Sequence, residues 1–135
     1  DTTPLFAWMV REIRPVTLVA TGKMWALACE AVRTLQEHGL EAGLIYAGCL
    51  KPLDEKAVER LAQGCSLLVT LEDGVVKGGF GASLAQAVTE KTKIQTLHFG
   101  MPDAFVPQGT VEELWQMLGL TPKDVAQRIL QETER

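Results

Sequence analysis

The chain has 135 residues, 47% of them hydrophobic and 22% charged, with a formal net charge of −4. That length and balance fit one soluble globule, able to bury roughly two-thirds of the surface its unfolded chain exposes. The acidic balance argues against nucleic acid or an anionic membrane as a partner, and no apolar run approaches the roughly 20 residues of a membrane span.

The sequence opens at Asp1, with no initiator Met and no basic head followed by an apolar centre. This predicts a piece of a longer polypeptide rather than a secreted precursor. Phe6 to Val10 reads as an edge strand or extended entry segment, interrupted by the charges from Arg11 to Arg14 and by Pro15. Val16 to Ala20 is nearly all apolar, as a strand covered on both faces should be, and Thr21-Gly22 ends it. A helix is expected from about Lys23 to His38, with Met24, Leu27, Ala28, Ala31, Val32 and Leu35 at helical spacing and Gly39 as a left-handed cap.

Leu44 to Ala47 is the next buried strand. After Pro52 comes an amphipathic helix from Asp54 to Gln63, stopped by Gly64. Ser66 to Leu71 is a third core strand. It runs into Glu72 and Asp73, then into a glycine-dense loop, and a helix from Ala82 to Lys91 follows. Ile94 to Phe99 is the last strand, and Gly100-Met101-Pro102-Asp103 turns away from it. Two helices close the chain. One begins at a Thr110…Glu113 capping box, and the other at Thr121 with Pro122 in its first position. The alternation predicts an α/β fold of three layers, α/β/α, with a mostly parallel five-stranded sheet and helices on both faces.

Three constellations are candidate sites. Gly78-Gly79-Phe80-Gly81 lies between a strand and a helix, where a backbone can approach an anion closely. It is not a dinucleotide fingerprint, because GGFG lacks the GxGxxG spacing and follows the third core strand, not the first. Gly22-Lys23-Met24 is not a Walker loop either. The alternative reading is a tight turn that lets the helix pack closely. Glu72 and Asp73 sit at the carboxyl end of a strand, where α/β proteins bind ligands. They suit either acid–base chemistry or the blander task of satisfying a helix start or the amides of the glycine loop. Thr21 and Gly22 end the first core strand at the same edge and complete this ligand or interface loop. Trp8, Trp25 and Trp115, with Phe80, Phe105 and Met101, form the third group, either interface anchors or edges of the core.

Nucleophiles are few. Ser66, Ser83 and the cysteines lie outside any GxSxG elbow, His98 reads as a packed or hydrogen-bonded strand residue, and His38 ends a helix. Cys29, Cys49 and Cys65 are an odd set without CxxC spacing, which fits buried thiols in a reducing cytosol. With only His38 and His98 to help, they do not make a zinc set.

These motifs together resemble the C-terminal domain of the thiamine-diphosphate-dependent transketolase superfamily, from about Val16 to Leu130. The matching pieces are Val16 to Gly22, Lys51-Pro52-Leu53-Asp54-Glu55, and Leu68 to Glu72 with Gly78 to Gly81. KPL and GGFG are shared with transketolases and with 2-oxo-acid dehydrogenase beta chains. The tail, Gly100-Met101-Pro102-Asp103 through Phe105 and Gly109 to Leu120, is similar to the 1-deoxy-D-xylulose-5-phosphate synthase branch. Two stretches depart from that pattern: Gly48 and Cys49 stand near where Arg and a bulky residue are usual, and Glu72-Asp73-Gly74 replaces Glu-Glu-Asn.

The resemblance implies a cytoplasmic, homodimeric transferase that condenses pyruvate with glyceraldehyde 3-phosphate for isoprenoid, thiamine and pyridoxal precursors. It also implies that thiamine diphosphate, Mg²⁺ and the catalytic groups belong to the preceding N-terminal and central domains. In this reading residues 1–135 form a single domain with no catalytic, cofactor or metal residue of its own. Its partners are those missing domains and the second subunit, with no nucleic acid and no membrane. The competing readings are the C-terminal domain of a transketolase or of a 2-oxo-acid dehydrogenase beta chain, and an independent small-ligand-binding module.

Overall fold

The computed structural model describes residues 8–48, 53–73, 79–101 and 111–134. Five strands form one sheet: β1 (Met9–Glu12), β2 (Val16–Ala20), β3 (Gly43–Tyr46), β4 (Leu67–Asp73) and β5 (Gln95–Met101). The helices are α1 (Met24–Glu37), α2 (Glu55–Gly64), α3 (Phe80–Thr89), α4 (Val111–Leu118) and α5 (Pro122–Thr133). The strand order is β1-β3-β2-β4-β5, with β1 antiparallel and every other pair parallel. This is the expected three-layer α/β/α arrangement. Among the described residues no helix is long and apolar enough to cross a membrane.

Alternation along the strands divides the core in two. Val16, Leu18 and Ala20 of β2 and Leu67, Val69 and Leu71 of β4 face α1 and α5, where they meet Leu27, Leu35, Val125 and Ile129. Val19, Ile45 and Leu68 face the other way, onto Val58 and Leu61 of α2 and Leu84 and Val88 of α3. Trp115 of α4 joins the first cluster and Trp8 the second, so both are core residues, while Trp25 is only partly buried. Phe105 lies outside the described residues.

The element boundaries differ from expectation for local reasons. β1 begins at Met9 and continues through Arg11 and Glu12 rather than stopping at them. It is an edge strand, where charged side chains reach water without disturbing the ladder. Phe6 falls outside the described residues. β4 runs to Asp73, because Glu72 and Asp73 still pair with Gly100 and Met101 of β5. α3 begins at Phe80, two residues before the expected Ala82, because Glu72 supplies acceptors for its first amides. The helix start expected at Thr110 is outside the described residues. The start at Thr121 is a full capping box with Asp124 and has Pro122 in the first turn. Gly39 has a φ of +85°, as the expected left-handed cap requires.

Candidate functional site

The side of β4 that faces α2 and α3 changes character along its length. Leu68 is apolar, Thr70 two residues on is polar, and Glu72 two further is a carboxylate only 3% exposed. A buried carboxylate needs hydrogen-bond partners. Its partners are the first two amides of α3: Phe80 N–H donates to Oε2 and Gly81 N–H to Oε1, each at 3.0 Å. Those amides have no acceptor within the helix, so Glu72 acts as the anion that a helix start favours.

Gly81 makes this arrangement possible. A Cβ there would lie 2.6 Å from Thr70 Oγ1 and 3.0 Å from both Glu72 Oε1 and His98 Nδ1. Only a residue without a side chain brings the turn this close to the sheet. His98, the register partner of Thr70, shares a 2.5 Å hydrogen bond with its hydroxyl through Nδ1. Thr70, Glu72, Gly81 and His98 are therefore one compact polar group under the start of α3. Glu72 and Gly81 were legible as candidates from sequence. The Thr70–His98 pair was not, since only the register of β4 with β5 brings the two together.

Asp73 points to the opposite face, as the next residue along a strand must. Its Oδ2 accepts from Lys23 N–H at 3.4 Å, and its own amide donates to Thr21 Oγ1 at 3.2 Å. Thr21 N–H in turn donates to Leu71 O at 3.0 Å. Gly22 has a φ of +51°, and a Cβ on it would lie 3.0 Å from Asp73 Oδ2. The sequence neighbours Glu72 and Asp73 thus serve two different helix starts, α3 and α1, and do not converge. Gly79 is the residue before α3, and Gly78 lies outside the described residues.

A second buried carboxylate works at the same edge of the sheet. Asp54 caps α2, with Oδ1 accepting from Lys56 and Ala57 N–H at 3.1 and 3.2 Å. Its Oδ2 accepts from Trp8 N–H at 2.7 Å, across 46 residues of sequence. A cap before α2 is a readable signal, but nothing in the sequence links it to Trp8.

The remaining candidates are committed locally. Ser66 Oγ donates to Pro15 O at 3.1 Å, Ser83 Oγ to Gly79 O at 3.4 Å, and His38 Nδ1 to Thr34 O at 2.9 Å. Burial pushes the Cys65 thiol up from 9.0 to about 11, against the lowering effect of hydrogen bonds with Thr17, so it is a poor nucleophile at neutral pH. Cys29 is also raised, by burial first, although Arg11 and Arg33 oppose it. Cys29 is only partly buried, unlike the expected buried thiol, and Cys49 is outside the described residues. Among the described residues no three His, Cys, Asp or Glu side chains gather to hold a metal ion. An open groove of about 510 Å³ runs between α1 and α5, lined by Thr34, His38, Lys123, Gln127, Leu130 and Gln131 among others, and none of its lining residues belongs to the Glu72 group.

The family model described as "Transketolase, C-terminal domain" matches residues 7–125. A 1-deoxy-D-xylulose-5-phosphate synthase of Shouchella clausii is 36% identical over 94% of this chain and 20% of its own length. The synthase of Rippkaea orientalis is 39% identical over 91% of this chain and 20% of its own length. The chain thus spans about a fifth of the curated relatives it matches. Among solved structures, a split-gene transketolase described as an inactive beta4 tetramer superposes with a TM-score of 0.79 at 30% identity, over 96% of this chain and 43% of that one.

Proposed function

We propose that this chain, which belongs to the transketolase C-terminal domain family, is the C-terminal structural domain of a 1-deoxy-D-xylulose-5-phosphate synthase. Residues 1–135 would be a single domain of a cytoplasmic, homodimeric enzyme that condenses pyruvate with glyceraldehyde 3-phosphate and releases carbon dioxide. The preceding domains and the second subunit would be its partners. Synthases matching more than nine-tenths of the chain support the choice of enzyme.

The observation that carries the structural role is the engagement of Glu72. At the edge of the sheet where α/β proteins bind ligands, its carboxylate already fills the amides that a bound anion would need. Thiamine diphosphate supplies the carbanion chemistry of this reaction. The residues around α3 do not fit its diphosphate, because Glu72 occupies the Phe80 and Gly81 amides and Gly81 leaves no spare room. On this reading the cofactor and Mg²⁺ belong to the rest of the polypeptide. Thr21, Gly22 and Asp73 at the start of α1, and Glu72 with Gly79 to Gly81 at the start of α3, would support the fold at the edge that meets neighbouring domains.

Two assays test the proposal. The 135-residue chain, given pyruvate, glyceraldehyde 3-phosphate, thiamine diphosphate and Mg²⁺, should form no product above buffer. Turnover by the chain alone would move the chemistry into it. A chimera in which this chain replaces the matching fifth of the Shouchella clausii synthase should make deoxyxylulose phosphate. A folded chimera that made no deoxyxylulose phosphate would count against the synthase assignment.

A further inference from the structure

The starts of α2 and α3 lie on the same face of the sheet, and each is held by a buried carboxylate from outside its helix. Trp8 touches both arrangements. Its backbone amide donates to Asp54, the cap of α2, at 2.7 Å. Its ring, 5% exposed, meets Phe80 edge-on with centroids 5.4 Å apart and planes at 68°. Phe80 is the first residue of α3, and its amide is the one that donates to Glu72 Oε2. A continuous set of contacts therefore runs from the cap of α2, through the residue that leads into β1, to the carboxylate at the end of β4.

We infer that Asp54, Trp8, Phe80 and Glu72 form one coupled unit, in which Asp54 is a positioning residue that fixes the first turn of α3 through Trp8. Asp54 has two tasks separable by atom. Oδ1 caps α2, and Oδ2 holds Trp8. Without the second, the Trp8 backbone loses that bond, its ring shifts against Phe80 within the core cluster, and the turn bearing the Phe80 and Gly81 amides loosens. Steric fit makes the coupling tight, since Gly81 has no free space beneath it and α3 cannot shift toward the sheet to compensate. The coupling does not depend on the reading of this chain as a synthase domain or on the reaction.

Spatial continuity alone does not demonstrate coupling, so the test is a cycle of variants. Amide hydrogen exchange is measured residue by residue in the 135-residue chain under native conditions. Asp54→Asn keeps an oxygen to cap α2 and replaces the acceptor for Trp8 with a donor. Exchange at Phe80 and Gly81 should rise roughly tenfold, the size expected for losing a charge-assisted contact, while Lys56 to Val58 keep their protection. Trp8→Leu leaves the backbone contact to Asp54 and removes the ring, and it should loosen the same two amides. The double variant should add little to either single one. Loss of protection at Trp8 alone, with Phe80 and Gly81 unchanged, would overturn the inference. So would additive effects in the double variant, or uniform acceleration of every amide in both single variants. None of these results would touch the enzyme assignment, which the assays above test separately.

Discussion

On the α1–α5 side of the sheet, Leu27, Leu35, Val125 and Ile129 are wholly buried among other apolar side chains. On the α2–α3 side the packing turns polar toward the carboxyl ends of the strands, where Thr70, Glu72 and His98 surround Gly81. Apolar burial has no direction, so a face built from it tolerates changes of shape at constant volume. Carboxylate-to-amide bonds are directional, and each group left unpaired in a buried site costs the full desolvation penalty. The first face supplies bulk stability, and the second fixes two helix starts in one geometry.

Substitutions can break or sharpen this contrast. The largest loss is expected on the apolar face. Leu27→Ala should destabilise the chain by about 3 kcal/mol in a denaturant titration, whereas Leu27→Met should cost under about 1.5 kcal/mol. At the polar corner even one methyl group is expected to be felt. Gly81→Ala should cost about 2 kcal/mol, because its Cβ would meet the Thr70 hydroxyl at 2.6 Å. Gly39→Ala is the control. Nothing lies within 4 Å of its Cβ, so only its φ of +85° should matter, at about 1 kcal/mol. If Gly81→Ala cost no more than Gly39→Ala, the corner would be looser than described. Near neutral pH no effect of titration is expected at Cys65, whose folded thiol is pushed up from 9.0 to about 11. The folded chain then keeps a proton that the unfolded chain loses. This contribution is complete below pH 9.0 and is lost as pH rises toward about 11. A decline in midpoint across that window, absent in Cys65→Ala, is the expected readout.

Much of this contrast could be read from the sequence, though unevenly. The apolar spacing of Met24, Leu27, Ala31 and Leu35 is enough by itself to mark the buried face of α1, because helical period and burial are linked. The glycine loop and Glu72 could be singled out for the same kind of reason, since strand, acid, glycines and helix follow in order. What escaped were the partners. Thr70 meets His98 only because β4 and β5 pair in one particular register, and Trp8 meets Asp54 only because the antiparallel β1 delivers its start beside α2. The ends of β4 and α3 were missed for a related reason. Local propensity stops the strand at its first charge, while pairing with β5 carries it to Asp73 and the Glu72 carboxylate starts the helix early.

The central claim is that Glu72 is the resident anion of the α3 start and is not held free for a ligand. The most direct measurement is the unfolding midpoint of Glu72→Ala in sodium formate and in sodium chloride of equal ionic strength. Removing the carboxylate leaves two buried amides unpaired and should cost about 2 kcal/mol, and formate, which can occupy the vacated position, should recover part of that loss where chloride does not. A variant as stable as the unsubstituted chain, or one that responds identically to both salts, would contradict the account.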